Sequence, residues 1–224
     1  MPTDMEFMNR LFHDALRRDL DRMIRALTVA PARPRPQRTA FAEHVTLVLD
    51  LLHHHHTGED QGLWPLVRRR APDLAAQLDM MEAEHASVAR SIESARAVAG
   101  HYATAEDPAI AERLREAITD LREVVLPHLD HEETEVMPRV VRALSRQDWS
   151  ALTRRELRDR PSLALAGQGL VWSREGLDRQ QKAEFDRQVP TPMRWIVEKR
   201  YGRAYRRRVA LAFPPTAPTG GASS

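Results

Sequence analysis

Apolar residues recur at helical intervals over four long stretches of the chain, and strand-type alternation is scarce. Phe12, Leu16, Leu20, Met23 and Leu27 step by three and four and predict a first helix over residues 5–27. Pro31, Pro34 and Pro36, in an arginine-rich stretch, end it and predict a stiff linker. Thr39 is the expected N-cap of a second helix carrying Phe41, Val45, Val48, Leu51 and Leu52. That helix runs through a histidine cluster to Trp64 and Pro65. A third starts at Ala71-Pro72-Asp73 and stops near Gly100, with the seam Leu74, Leu78, Met81, His85, Val88 and Ile92. A fourth opens within residues 104–108, carries Ile110, Leu114, Ile118, Leu121 and Val125, and continues past His128 to Leu144. Four long amphipathic helices with short joints predict an all-α fold, an up-down-up-down four-helix bundle over residues 1–145.

Residues 146–213 read differently. Helical pieces there are shorter and broken by Pro161, Gly167, Gly169, Gly176, Pro190 and Pro192, which predicts a helical C-terminal extension. Residues 214–224 are rich in Pro, Thr, Gly and Ser and are expected to be disordered. Near the end of the extension Trp195, Ile196, Tyr201, Tyr205, Val209 and Phe213 alternate with a run of basic residues. Such a helix packs its aromatics on the bundle and leaves its arginines solvated or paired; contact with a membrane surface or with phosphates is the alternative. An extension over one end of the bundle would also restrict access to whatever the bundle holds.

Composition narrows the chemistry. The 224 residues are 42% hydrophobic, enough for a sizeable core. Lys and Arg total 34 against 32 Asp and Glu, a net charge of +2, so bulk charge gives no case for nucleic acid. There is no cysteine, which excludes disulfides, thiolate zinc sites, iron–sulfur clusters and cysteine nucleophiles. Any metal must be held by His, Asp and Glu. The first twenty residues are amphipathic without an apolar run, and no stretch reaches the ~18 apolar residues of a membrane span, so the expected location is the cytoplasm.

Ten histidines fall mostly into short clusters. His85 replaces a hydrophobe at the centre of the third seam, where a polar group needs a partner. The second and fourth helices share a pattern: His55-x-x-x-Glu59 with Pro65 following, and His128-x-x-x-Glu132 with Pro138 following. Four residues are ~400° of rotation and ~6 Å of rise, so each His and Glu project from one face and can reach a common ion. The alternative register pairs His56 with Asp60 and His131 with Glu135; the Glu and Pro spacing selects the first. His13 adds an imidazole near the middle of the first helix. The remaining histidines, His44 and His101 among them, are expected at the surface or behind the site. Imidazoles and carboxylates converging in a bundle core suit a pair of iron ions better than zinc or manganese.

His13, then His55-x-x-x-Glu59, then His85, then His128-x-x-x-Glu132, one set per helix, resembles the hemerythrin-like (HHE cation-binding) domain family. The resemblance covers about residues 4–145. It implies that His13, His55, His85 and His128 are terminal iron ligands, that Glu59 and Glu132 bridge two oxo- or hydroxo-bridged irons, and that the site binds or reacts with O2, NO or peroxide. Oxygen-carrying hemerythrins use two histidines four apart on the third helix, whereas here Met81 and Ala89 flank His85. Unless His56 turns inward, that difference leaves a coordination position free and favours reactivity or sensing, in redox or iron homeostasis, over reversible carriage. Catalase-like peroxide decomposition is the second expectation, and a metal-free or zinc-bound interaction bundle the third.

Overall fold

The computed structural model describes residues 4–105, 107–158 and 162–215. The predicted disordered tail therefore lies outside the described residues from position 216 onward. All regular structure among the described residues is helical. Four long helices form the bundle: α1 (Asp4–Val29), α2 (Arg35–Gly58), α4 (Ala75–Thr104) and α5 (Ala109–His131). Two short helices, α3 (Trp64–Arg70) and α6 (Met137–Ala143), prolong α2 and α5. The extension follows as α7 (Arg146–Arg158), α8 (Leu163–Arg174), α9 (Arg179–Gln188), α10 (Thr191–Val197) and α11 (Arg203–Ala212).

The second helix begins four residues before the expected Thr39 cap. Pro34 caps it and Pro36 lies in its first turn. A proline there forfeits an N–H that has no helical acceptor anyway, and its fixed φ suits the helix. The proline-rich stretch thus starts the helix as well as separating it from α1, and the stiff linker shrinks to residues 30–34.

The matching prolines have a larger effect. Between α2 and α3, residues Glu59–Leu63 form a π-helical turn, and between α5 and α6 residues Glu132–Val136 form another. Trp64 N–H donates to Glu59 O, and Met137 N–H donates to Glu132 O, five residues back. A proline inside an α-helix clashes with the carbonyl four residues earlier and offers it no donor. Widening the turn before Pro65 and Pro138 lets each helix continue, and Glu59 and Glu132 become the first residues of the wide turns.

Around the bundle α5 packs on α1 and α4, and α4 packs on α2, whereas α1 and α2 meet sparingly. Helix α8 lies against both α1 and α2 at that edge, and α11 packs along α2. Trp172 of α8 and Tyr205 and Ala212 of α11 are buried in the same apolar cluster as the bundle's Leu16, Phe41, Val88 and Leu121. A second cluster at the α3–α6 end contains Trp64, Leu78, Met81, Val136 and Val140. Met81 and Val88, either side of His85 on one seam, belong to different clusters. A polar layer thus lies between two apolar ones. No helix among the described residues is long and apolar enough to cross a membrane.

Candidate metal centre

Every bundle helix sends polar side chains into that layer. His13, His56, Glu59, His85, His128 and Glu132 are each at most 6% exposed. His55 is slightly more open, with its side chain 16% exposed. Their donor atoms form three groups close enough to share an ion: His56, His85 and His128; His13, His55 and Glu132; and His55, His56 and Glu59. All six residues singled out from the sequence are brought together.

His56 is the addition. Consecutive residues on a helix point ~100° apart, and α2 has neighbours on two sides. His55 meets α1, where its Nε2 lies 3.1 Å from His13 Nε2. His56 meets α4 and α5, its ring stacked 4.1 Å from that of His85 and edge-on to that of His128 at 4.8 Å. Both registers of the histidine run are used at once. The sequence signal was present in the run itself, but the Glu spacing pointed to one member only.

The two glutamates lie between the imidazole groups. One Glu59 oxygen is 3.5 Å from His55 Nε2 and the other 3.6 Å from His85 Nε2. Glu132 Oε2 is 3.3 Å from His13 Nε2 and 3.9 Å from His128 Nε2. Its other oxygen accepts a hydrogen bond from Asn9 Nδ2 at 2.8 Å.

Carboxylates behind the site fix the rings. His13 Nδ1 donates to Glu133 (2.7 Å), His85 Nδ1 to Asp60 (2.6 Å) and His128 Nδ1 to Glu84 (2.9 Å). A carboxylate can only accept, so each Nδ1 carries the proton and each Nε2 presents a lone pair inward. Asp60, the ligand of the alternative register, instead serves in this supporting role. So does His131, whose Nδ1 shares Glu84 with His128 at 2.9 Å. Arg17 holds Glu133 at 2.8 Å. Burial pushes the Glu133 carboxyl up, but hydrogen bonds from His13 and Arg17 outweigh it and bring it to about 2. Burial and neighbouring histidines lower His55 and His56 well below the ordinary imidazole value. Burial and His85 lower His128 as well. These rings are therefore neutral near pH 7, the form that binds a metal.

The buried Nε2 atoms of His56, His85 and His128 and the Oε2 of Glu132 have no hydrogen-bond partner. A buried polar atom left in that state costs about 1–3 kcal/mol. Here four such atoms converge; the Nδ1 bonds to Asp60 and Glu84 leave His85 and His128 Nε2 as acceptors beside the Glu132 carboxylate, and a cation is the ligand that satisfies a set of acceptors. His13 and His55 Nε2, 3.1 Å apart, are also close enough for both to reach one ion.

The other histidines divide. His53 and His101 are exposed as expected. His44 is fully buried, with its Nε2 3.4 Å from Asp19 Oδ2. Asp19, also fully buried, accepts from Trp172 Nε1 and pairs with Arg18 and Arg22.

A family model described as the hemerythrin HHE cation-binding domain matches residues 9–140. No curated protein and no solved structure matches the chain. The matched span contains all seven converging side chains and covers more than half of the 224 residues. The chain belongs to the hemerythrin HHE cation-binding domain family.

Proposed function

We propose that the polar layer holds two iron ions and that the protein binds or reacts with O2, NO or peroxide in redox or iron homeostasis. Supporting this reading above all is the position of Glu59 and Glu132, each facing imidazoles of both groups. His13 and His55 would hold one ion, His56, His85 and His128 the other, with both carboxylates shared between them. Iron bound there supplies Lewis-acid and redox chemistry toward small oxidants. The residues do the rest. Glu133, Asp60 and Glu84 hold the Nδ1 protons and keep the Nε2 lone pairs aimed inward. Leu78, Met81, Val88 and Leu121 keep water from the layer's two faces.

With His56 added, the imidazoles divide two and three. The fifth imidazole missing from the third helix is thereby supplied from α2, and His56 takes up the position its absence would have left free. On the same reading, residues 1–145 form the metal-binding bundle and residues 146–213 its covering extension.

The test is elemental analysis of protein produced in iron-replete medium, with an absorption spectrum in air and O2 evolution from added peroxide. About two irons per chain with near-ultraviolet charge-transfer bands are expected. One zinc per chain, or no metal, would overturn the reading. Vigorous O2 evolution would assign the catalase-like activity; its absence with NO- or O2-dependent spectral change would assign sensing.

A further inference from the structure

A half-open cavity of about 540 Å³ adjoins the His13–His55 side of the metal layer. Asn9, Phe12, His55 and Glu59 form its inner wall. Its outer wall belongs to the extension: Trp149 and Leu152 of α7, and Ala166, Gly169 and Leu170 of α8. Two glycines bring the walls together. A Cβ on Gly62 would lie 3.1 Å from Leu152, and one on Gly169 would lie 2.8 Å from Leu51.

The size exceeds what the small oxidants need. A water occupies ~30 Å³ of liquid, and a diatomic is of the same order. Cavities of 300–1,000 Å³ are those that enclose organic ligands. The walls are mainly apolar, and no Arg or Lys lines them among the described residues. An anionic ligand would find no counter-charge there and would face Glu59. The hydrogen-bonding groups that reach the space, including Thr57, Gln61 and Ser173, are uncharged or sit near Glu59.

We propose that this cavity binds a neutral, mostly apolar organic molecule, held between the bundle and the extension with one end against His55 and Glu59. The proposal depends on the di-iron reading only for what the molecule lies beside, not for its binding. Phe12 shapes the inner end: it stacks on His55 at 4.3 Å and meets Trp172 edge-on at 5.2 Å, so the imidazole is exposed to the cavity at a fixed angle.

The experiment uses N-phenyl-1-naphthylamine, a neutral apolar fluorophore, titrated into the full chain with and without iron. One probe per chain is expected, with enhanced fluorescence in both forms. Ala166→Phe and Thr57→Phe, from opposite walls, fill the cavity and should each weaken binding at least tenfold. Ala210→Phe, in a separate cavity lined by Arg174, Glu175, Arg194 and Glu198, should leave binding within about twofold. Thermal melts of all three identify any variant that misfolds, and two filling variants guard against losing one. Absence of binding, or binding reduced by Ala210→Phe alone, overturns the proposal. Iron loading without probe binding would overturn it while leaving the di-iron reading intact; probe binding without iron loading would do the reverse.

Discussion

His56 illustrates how a buried polar atom carries information that an apolar one does not. Its Nε2 has no hydrogen-bond partner, so removing it should cost little in protein stripped of metal. His56→Leu is expected to leave the metal-free protein as stable as before or more stable by up to ~1–3 kcal/mol, the cost of an unsatisfied buried polar atom. Iron content should fall to about one per chain. Calorimetry paired with elemental analysis checks both, and a large loss of metal-free stability would mean that the ring is a packing residue. Glu84 tests the shell behind. It accepts from both His128 and His131. Glu84→Gln no longer demands a proton on His128 Nδ1, and metal affinity should drop about 10–100-fold, measured by competition with a chelator. Asp19 adds a pH dependence away from the metal layer. Burial raises its carboxyl, but His44, Arg18 and the Trp172 N–H more than reverse this and hold it well below the ordinary range. A depressed carboxyl contributes stability above its unfolded value of about 3.9, and that contribution fades as pH falls toward the folded value. Asp19→Asn should lower stability near pH 7 by about 1–3 kcal/mol and flatten the acid limb of a urea-melt series below about pH 4.

At the scale of elements, the four seams were legible because each alternates threes and fours with few interruptions. His85 stood out for the same reason: one polar residue in the stripe from Leu74 to Ile92 has to be explained. What was not legible is where the helical register changes. Pro65 and Pro138 each lie six residues after the key glutamate, and this was visible as a shared spacing. That the spacing means a π turn follows only when the proline's clash with the carbonyl four residues back is set against the pressure to keep α3 and α6 in the core. His55–Glu59 and His128–Glu132 enter the wide turns only at their glutamates, so each pair keeps the α-helical spacing of four, at 3.5 Å and 3.9 Å. Residues beyond are rotated by the extra residue, which puts Trp64, Val67, Met137 and Val140 inward. Deleting Gly62 would remove the extra residue of the wide turn, set Pro65 against an α-helical carbonyl and turn α3 by ~100°, swinging Trp64 and Val67 out of their cluster. Such a deletion should destabilise the α3–α6 end by several kcal/mol, since burying a large side chain contributes ~1.5–3 kcal/mol. Reduced protection of the α6 amides in hydrogen exchange, with α1 amides less affected, is the expected pattern.

Across the whole molecule, the extension is the part the sequence described least well, because its contacts depend on an edge of the bundle that periodicity does not reveal. Four helices that close on one another would leave α8 and α11 only a surface to lie on. Instead α1 and α2 part, and Trp172, Tyr205 and Ala212 enter the main apolar cluster. Phe213 completes the packing, edge-on to Phe41 and beneath the Arg22 guanidinium at 3.9 Å. The other end of the basic aromatic segment behaves differently: Trp195 and Ile196 are 62% and 57% exposed. A core shared in this way predicts that bundle and extension unfold as one unit. Trp64 and Trp172 are both fully buried, one in the cluster below the metal layer and one beside Asp19. With the other tryptophans replaced by Phe, the emission of each should follow a single denaturation curve, and both midpoints should coincide with loss of far-ultraviolet ellipticity. Iron should raise the two midpoints together, by an amount set by metal concentration over its dissociation constant. An earlier transition at Trp172, with Trp64 and the metal bands unchanged, would instead make the extension a separable cover over an independently stable metal-binding bundle.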